Sequence, residues 1–501
     1  MDCGRTSGVL LHVTSLPGSY GIGDLGPEAF RFADWLAAAG QHVWQVLPVG
    51  PVGYGESPYQ LLSAFAGNPM LLSLDSLAEQ GLLLKDEICG APLFDERRVE
   101  FERVIPWKTK LLRRAFERFQ KRSSAKNAAE DDYLVEYSNF LRADHPWLDH
   151  YATFMALKES QGNAPWWDWR SAKPRDEDIA YHTFLQFEFF RQWNSLKTHC
   201  RTLGIRLMGD LPIYIARDSA DVWAHRDLFR DDVVSGVPPD YFSATGQLWG
   251  NPIYDWDRMA AHGFTWWLDR FRAALTQFSL LRLDHFRGFE AYWEVPAGEK
   301  TAVHGRWVKG PGAPFFRLLR AELGQLPIIA ENLGVITPEV EALRDEFDFP
   351  GMAILQFAFG SDPQAGTFKP HNYIRNLAAY TGTHDNDTVL GWWRSEGGDS
   401  TRTPKDIQDE KARARAYLAT EGCDINWAMI RMLMMSVADL VLMPLQDILG
   451  LGSEARMNTP ATAGGNWRWR CPQGALTVDL AQRLRAMAEM YDRTATETTQ
   501  T

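Results

Sequence analysis

Three carboxylates stand where a sequence could place chemistry: Asp284, Glu331 and Asp385. Asp284 follows the run SLLRL, Glu331 follows LPIIA, and Asp385 follows LAAYTGT and His384. The spacings, 47 residues from 284 to 331 and 54 from 331 to 385, are too long for one helix face but suit successive strand–helix units. Carboxylates at the C-terminal ends of barrel strands converge on one mouth. Two of them about 5–5.5 Å apart perform retaining glycoside chemistry, one attacking and the other donating and then accepting a proton. A third would bind sugar hydroxyls and shift the ionisation of the other two. The competing reading is that Asp and Glu open such loops as helix caps. Arg282 lies two residues before Asp284, so in a strand both side chains share a face. Its guanidinium would keep the carboxylate charged and oriented, although a purely structural ion pair fits the same spacing. His384 and Asp385 could together hold vicinal hydroxyls. No HExxH, EF-hand loop or cysteine pair is present, so no metal is expected.

Aromatic segments accompany the acids: Tyr54 and Tyr59 in GYGESPYQ, Phe242 and Trp249 in DYFSATGQLWGNP, and Trp166, Trp167 and Trp169 in PWWDWR. Aromatic faces stack on the flat C–H faces of pyranose rings. For PWWDWR the expectation is packing between insertions and the body of the fold. Trp249, among Gly246, Gly250 and Asn251, is expected to be exposed on a mobile loop.

The elements that must position these residues are eight short apolar runs, at 8–13, 42–47, 205–209, 279–283, 326–330, 352–357, 377–383 and 437–443. They read as strands buried on both faces. Helical segments alternate with several of them. PEAFRFADWLAAAG has Pro27 near its start and Gly40 just past its end, and TPEVEALRDEF has Thr337 as N-cap and Pro338 at its first position. The pattern predicts an α/β fold, a (β/α)8 TIM barrel. An open doubly wound sheet is the rival, but no GxGxxG follows a strand. Two gaps exceed simple crossovers. We expect a helical insertion at 73–195 and a loop/helix insertion at 217–275 that includes a substrate-covering loop at 236–254. Residues 1–490 then form one catalytic domain and 491–501 a flexible tail.

The 501 residues are 45% hydrophobic and 23% charged, the balance of a globular chain. A net charge of −12 would repel phosphate backbones and anionic lipid, so neither nucleic acid nor membrane is an expected partner. The five cysteines, at 3, 89, 200, 423 and 471, are scattered and unpaired in pattern. With no recognisable signal peptide, they predict a cytoplasmic protein with reduced thiols.

The runs GDLPIY (209–214), RLDHFRG (282–288), AENLG (330–334) and TGTHDN (381–386) resemble, in order, the four short motifs of the α-amylase clan. LLHVTSLPGSYGIGDLG, GYGESPYQ, PPDYFSATGQLWGNPIYDW, AENLGVITPEVEALRD and QDILGLGSEARMNTP narrow the resemblance to the 4-α-glucanotransferases, or amylomaltases, of glycoside hydrolase family 77. The resemblance covers residue 8 to about 470. It implies Asp284 as nucleophile, Glu331 as general acid/base and Asp385 as transition-state stabiliser. Asp210, Arg282 and His384 would surround the sugar whose bond is cut. Ser57, Tyr59, Trp249 and Asn458 would line subsites, Tyr54 a second glucan groove, and Phe242 with Trp249 the covering loop. It implies no cofactor, no obligatory metal and no separate C-terminal β domain. The substrates would be malto-oligosaccharides and α-1,4-glucans, with glucose as a further acceptor. Monomer and dimer stay equally open. An α-amylase-like hydrolase and an inactive glucan-binding protein are the alternatives. The chain departs from many relatives at Val13, Ala244 and Asn332; Ala244 bears on acceptor preference, and Asn332 would act at one remove from the chemistry.

Overall fold

The computed structural model describes residues 4–125, 130–239, 243–397, 403–462 and 464–494. Phe242 and the terminal residues 495–501 lie outside the described residues. Eight parallel strands form the centre: β1 (Thr6–Leu10), β2 (Val43–Gln45), β3 (Arg206–Leu211), β4 (Leu280–Leu283), β5 (Ile328–Ala330), β6 (Gly351–Ile354), β7 (Leu377–Tyr380) and β8 (Leu440–Pro444). Each falls at one of the eight apolar runs. Their order is β6-β7-β8-β1-β2-β3-β4-β5. The two ends of that order, β5 and β6, meet where the Ala330 N–H donates to Pro350 O at 2.8 Å. A side chain completes the seam. Asn332 Oδ1 accepts from the Met352 N–H at 2.8 Å, and its Nδ2 donates to Glu341 Oε1 at 2.9 Å. The result is a (β/α)8 barrel.

The barrel interior follows the period of two that strands impose. Val43, Met208, Leu280, Ile329, Ala378, Tyr380, Leu440 and Leu442 pack together inside it. Two residues beyond Met208 on the same face is Asp210. Two beyond Leu280 is Arg282, followed by Asp284, and two beyond Ile329 is Glu331. The upper end of an apolar core is thus charged, and that end is the C-terminal mouth.

Helices cover the outside. Pro27–Ala38 begins on proline at its first position and buries Phe32 and Leu36; the Phe32 ring meets Trp44 of β2 edge-on at 4.8 Å. Each such buried side chain contributes about 1.5–3 kcal/mol. Thr337 occupies the N-cap of Pro338–Glu346 as expected, but its side chain makes no capping hydrogen bond. Between β2 and β3 the chain is helical, with Phe101–Ser123, Asp132–Arg142, Leu148–Ser160 and Asp176–Thr202 as its longest members. The last of these runs past position 195 and packs on the barrel beside β3. Between β6 and β7 only short 3-10 turns occur among the described residues.

The stretch 217–275 differs from expectation. It contains strands Phe229–Val237 and Gln247–Tyr254, which join Ala291–Pro296 and Arg306–Lys309 in a four-stranded antiparallel sheet. Those partners arrive only after β4, so no short-range pattern announces the pairing. Trp249 therefore sits half-buried on a strand rather than exposed on an irregular loop. No helix of the described residues is long and apolar enough to cross a membrane.

Candidate active site

Arg282 organises one wall of the mouth. Its Nη1 lies 2.7 Å from Asp210 Oδ2, 2.9 Å from Asp210 Oδ1 and 2.8 Å from Asp284 Oδ1. Burial works against the guanidinium's charge, but Asp210 and Asp284 outweigh it and hold the pKa well above the usual arginine value. The Tyr59 hydroxyl donates to Asp210 Oδ2 at 2.8 Å. Burial pushes the Asp210 carboxyl up, Arg282 pulls it down and Asp284 pushes it up again. One guanidinium thus serves two carboxylates. Removing a single member of such a buried group leaves an uncompensated charge and costs about 3–5 kcal/mol.

Glu331 stands next to this group and is only 9% exposed. Its Oε2 accepts from the His285 N–H at 2.7 Å and its Oε1 from the Leu333 N–H at 3.1 Å. Burial raises its pKa to about 7; Arg282 and the two N–H donors oppose the rise, and Asp284 adds to it. His285, the residue after Asp284, has φ 50°. This left-handed conformation is costly for a residue with a side chain, and the backbone it shapes carries the N–H that holds Glu331.

The opposite wall comes from the loop after β7. His384 Nε2 lies 3.3 Å from Asp385 Oδ2, and the Tyr59 ring stacks on His384 with centroids 5.1 Å apart. Burial lowers the His384 pKa and Asp385 counters it, which favours the neutral imidazole. Asp385, with a side chain 46% exposed, is aimed rather than enclosed. Asn458 Nδ2 donates to its Oδ1 at 2.6 Å, and Arg456 Nη2 donates to its backbone carbonyl at 2.8 Å.

A family model described as 4-alpha-glucanotransferase matches residues 11–477. The chain is 49% identical to the 4-alpha-glucanotransferase of Synechocystis sp., over 98% of both chains. It is 48% identical to that of Thermus thermophilus, over 98% of this chain and 100% of the relative. The chain belongs to the 4-alpha-glucanotransferase family. The amylomaltase from Streptococcus agalactiae, solved in complex with acarbose, superposes with a TM-score of 0.90 at 36% identity, covering 98% of this chain and 99% of that one.

The remaining expected residues of this 4-alpha-glucanotransferase family member spread outward from the two walls. The Trp249 ring meets His285 edge-on at 4.8 Å, which brings the antiparallel sheet beside the Asp284 turn. Ser57 is half-buried, and its Oγ accepts from the Tyr59 N–H at 3.3 Å. Tyr54 projects from the 3-10 turn Tyr54–Glu56 and is 81% exposed; it takes no part in the charged cluster. Among the described residues no group of three or more His, Cys, Asp or Glu side chains could hold a metal.

Several contributors had no place in the sequence reading. His285 and Leu333 act through backbone N–H groups, whose direction depends on dihedral angles that no residue type encodes. Asp447, just past β8, accepts from Thr381 Oγ1 at 2.6 Å and from the Val389 N–H at 2.7 Å, pinning both ends of the loop that carries His384 and Asp385. Its burial pushes its pKa up to about 6. Its position at the end of an apolar run, in PLQD, was the available signal.

Proposed function

We propose that the enzyme moves α-1,4-glucan segments between malto-oligosaccharides by double displacement, with Asp284 as nucleophile and Glu331 as acid and then base. A carboxylate oxygen of Asp284 attacks the anomeric carbon. The bond to the leaving chain's 4-oxygen breaks, and the proton of Glu331 goes to that oxygen. A covalent glucosyl-enzyme remains. The 4-hydroxyl of a second chain, or of glucose, then attacks the same carbon. Its proton returns to Glu331, and the bond to Asp284 breaks. Two inversions retain the α configuration. The observation that carries this reading is the contrast within one cluster: Glu331 is buried and holds its proton near neutrality, while Asp284 lies against a guanidinium. An acid that keeps its proton beside a carboxylate held by a cation is the pairing this chemistry requires.

In this reading Asp385, oriented by Asn458 and flanked by His384, binds hydroxyls of the reacting sugar as positive charge develops on its ring. Asp210 and Tyr59 bind the same sugar from the other wall. Trp249, Ser57 and Asn458 line the neighbouring subsites, and Tyr54 contacts glucan only at the periphery. The described part of 236–254, with strand Gln247–Tyr254 beside the Asp284 turn, shields the cleft and favours a sugar acceptor over water. We place the whole of residues 1–490 in one catalytic unit, working in the cytoplasm.

Pure protein incubated with maltotriose tests the reading. Transfer yields glucose and a ladder of longer chains with almost constant total reducing ends. A steady rise in reducing ends without a ladder would instead identify a hydrolase and overturn it.

A further inference from the structure

The tryptophans of PWWDWR do not share one fate. Trp169 packs on Phe154 with ring centroids 5.2 Å apart, and its indole N–H donates to Ala164 O at 2.8 Å. Trp166 is half-buried; its indole N–H donates to Arg217 O at 2.7 Å and its backbone N–H to Asp218 Oδ1 at 3.2 Å. Trp167, between them, stays 44% exposed. It meets Trp166 edge to face at 5.5 Å. The Arg217 guanidinium stands 4.7 Å from the Trp167 ring centre and that of Arg226 stands 4.3 Å from Trp166.

Hydrogen bonds hold the indoles of Trp166 and Trp169 on either side, and a ring supported by such neighbours binds with a reduced ordering cost. The charges around it are mixed: Arg217 and Arg226 stand over the indoles, Asp218 accepts from the Trp166 N–H, and Asp168 and Arg170 adjoin the indoles in the chain. Such a rim suits a neutral, hydroxyl-rich ligand better than a polyanion. The location is also telling. Arg217 lies seven residues beyond Asp210, so the chain alone limits their separation to about 25 Å. Asn251, two residues from Trp249, donates from Nδ2 to Ile215 O at 2.9 Å, tying the same loop to the sheet beside the cleft.

We propose that Trp166 and Trp167, with Arg217 and Arg226, form a further binding site for an α-glucan chain on the catalytic face, outside the cleft and in addition to the groove expected at Tyr54. The face of Trp167 that Arg217 does not cover stacks on a pyranose, and the guanidinium groups donate to sugar hydroxyls. A long chain engages cleft and platform together, so the site selects for length. The proposal rests on the glucan reading of the cleft.

The test uses Asp284→Asn protein, so that binding is measured without turnover, with a long linear α-1,4-glucan and with maltotriose. Adding Trp167→Ala should weaken binding of the long chain about tenfold and leave maltotriose binding within twofold. Trp167→Phe, which keeps an aromatic face, should retain most of the long-chain affinity. Unchanged long-chain binding by Trp167→Ala would overturn the platform, as would an equal loss for maltotriose. Failure of the Asp284→Asn protein itself to bind maltotriose would overturn the glucan reading of the cleft instead.

Discussion

The two walls of the mouth reach the same substrate by different physics. The wall from β3, β4 and β5 is strand-borne: Asp210, Arg282, Asp284 and Glu331 continue the inward alternation of the barrel core, and burial sets the protonation of Glu331. The wall after β7 is loop-borne. Asp385 is half-exposed, and its direction is set by the adjacent His384 and by Asn458 and Arg456, more than seventy residues further along the chain. The first wall tunes charge by excluding water; the second tunes geometry by hydrogen bonds.

That contrast breaks most visibly at the nucleophile. Asp284→Asn should lower turnover on maltotriose by about four orders of magnitude or more, since no other group forms the covalent bond; a rate within tenfold of the parent would refute the assignment. Glu331→Gln should cost about 10²–10⁴ in kcat and abolish the fall in kcat/KM that accompanies loss of the Glu331 proton as pH rises through about 7. The same variant sharpens the burial argument. The folded protein keeps this proton up to about 7 whereas the ordinary value is 4.5, so the stabilisation is complete below 4.5 and is lost as pH rises to about 7. Thermal melts should therefore show Glu331→Gln gaining on the parent between pH 5 and pH 8, by on the order of 1–3 kcal/mol; an equal difference at both pH values would mean the carboxyl is not held neutral by burial.

On the loop wall the expected losses are smaller and uncoupled from pH. Asn458→Ala removes one hydrogen bond to a carboxylate, worth about 1.5–3 kcal/mol, so kcat should fall roughly 10–100-fold with the pH profile and melting temperature little changed. A shifted profile would show that this wall also tunes charge. Asn332→Ala should act mainly on stability, about 1–3 kcal/mol in denaturant melts, because it strands the Met352 N–H at the β5–β6 seam. An unchanged midpoint would show that the seam does not depend on the amide.

Much of this was legible beforehand, for identifiable reasons. Strands buried on both faces must be apolar, and an ionisable residue follows four of the eight runs where water returns, so the barrel strands and the acids after β4, β5 and β7 are legible. Arg282 could be placed beside Asp284 because strand alternation is local. The antiparallel sheet is not legible in the sequence: Phe229–Val237 pairs with Gln247–Tyr254, the strand of Trp249, across a Gly- and Pro-rich stretch that reads as loop, and with Ala291–Pro296 only beyond β4. PWWDWR reads as one packing cluster in sequence, whereas only its neighbours in space decide that Trp169 is wedged and Trp167 is open.

The sequence by itself determined the inventory: which residue types stand at which strand ends, in what order, and hence the family and its chemistry. The tertiary structure decided which carboxyl keeps a proton, which one is merely aimed, and which indole faces water. Those properties depend on solvent exclusion and on donors contributed by segments 46 to 151 residues apart, and no local pattern carries that sum.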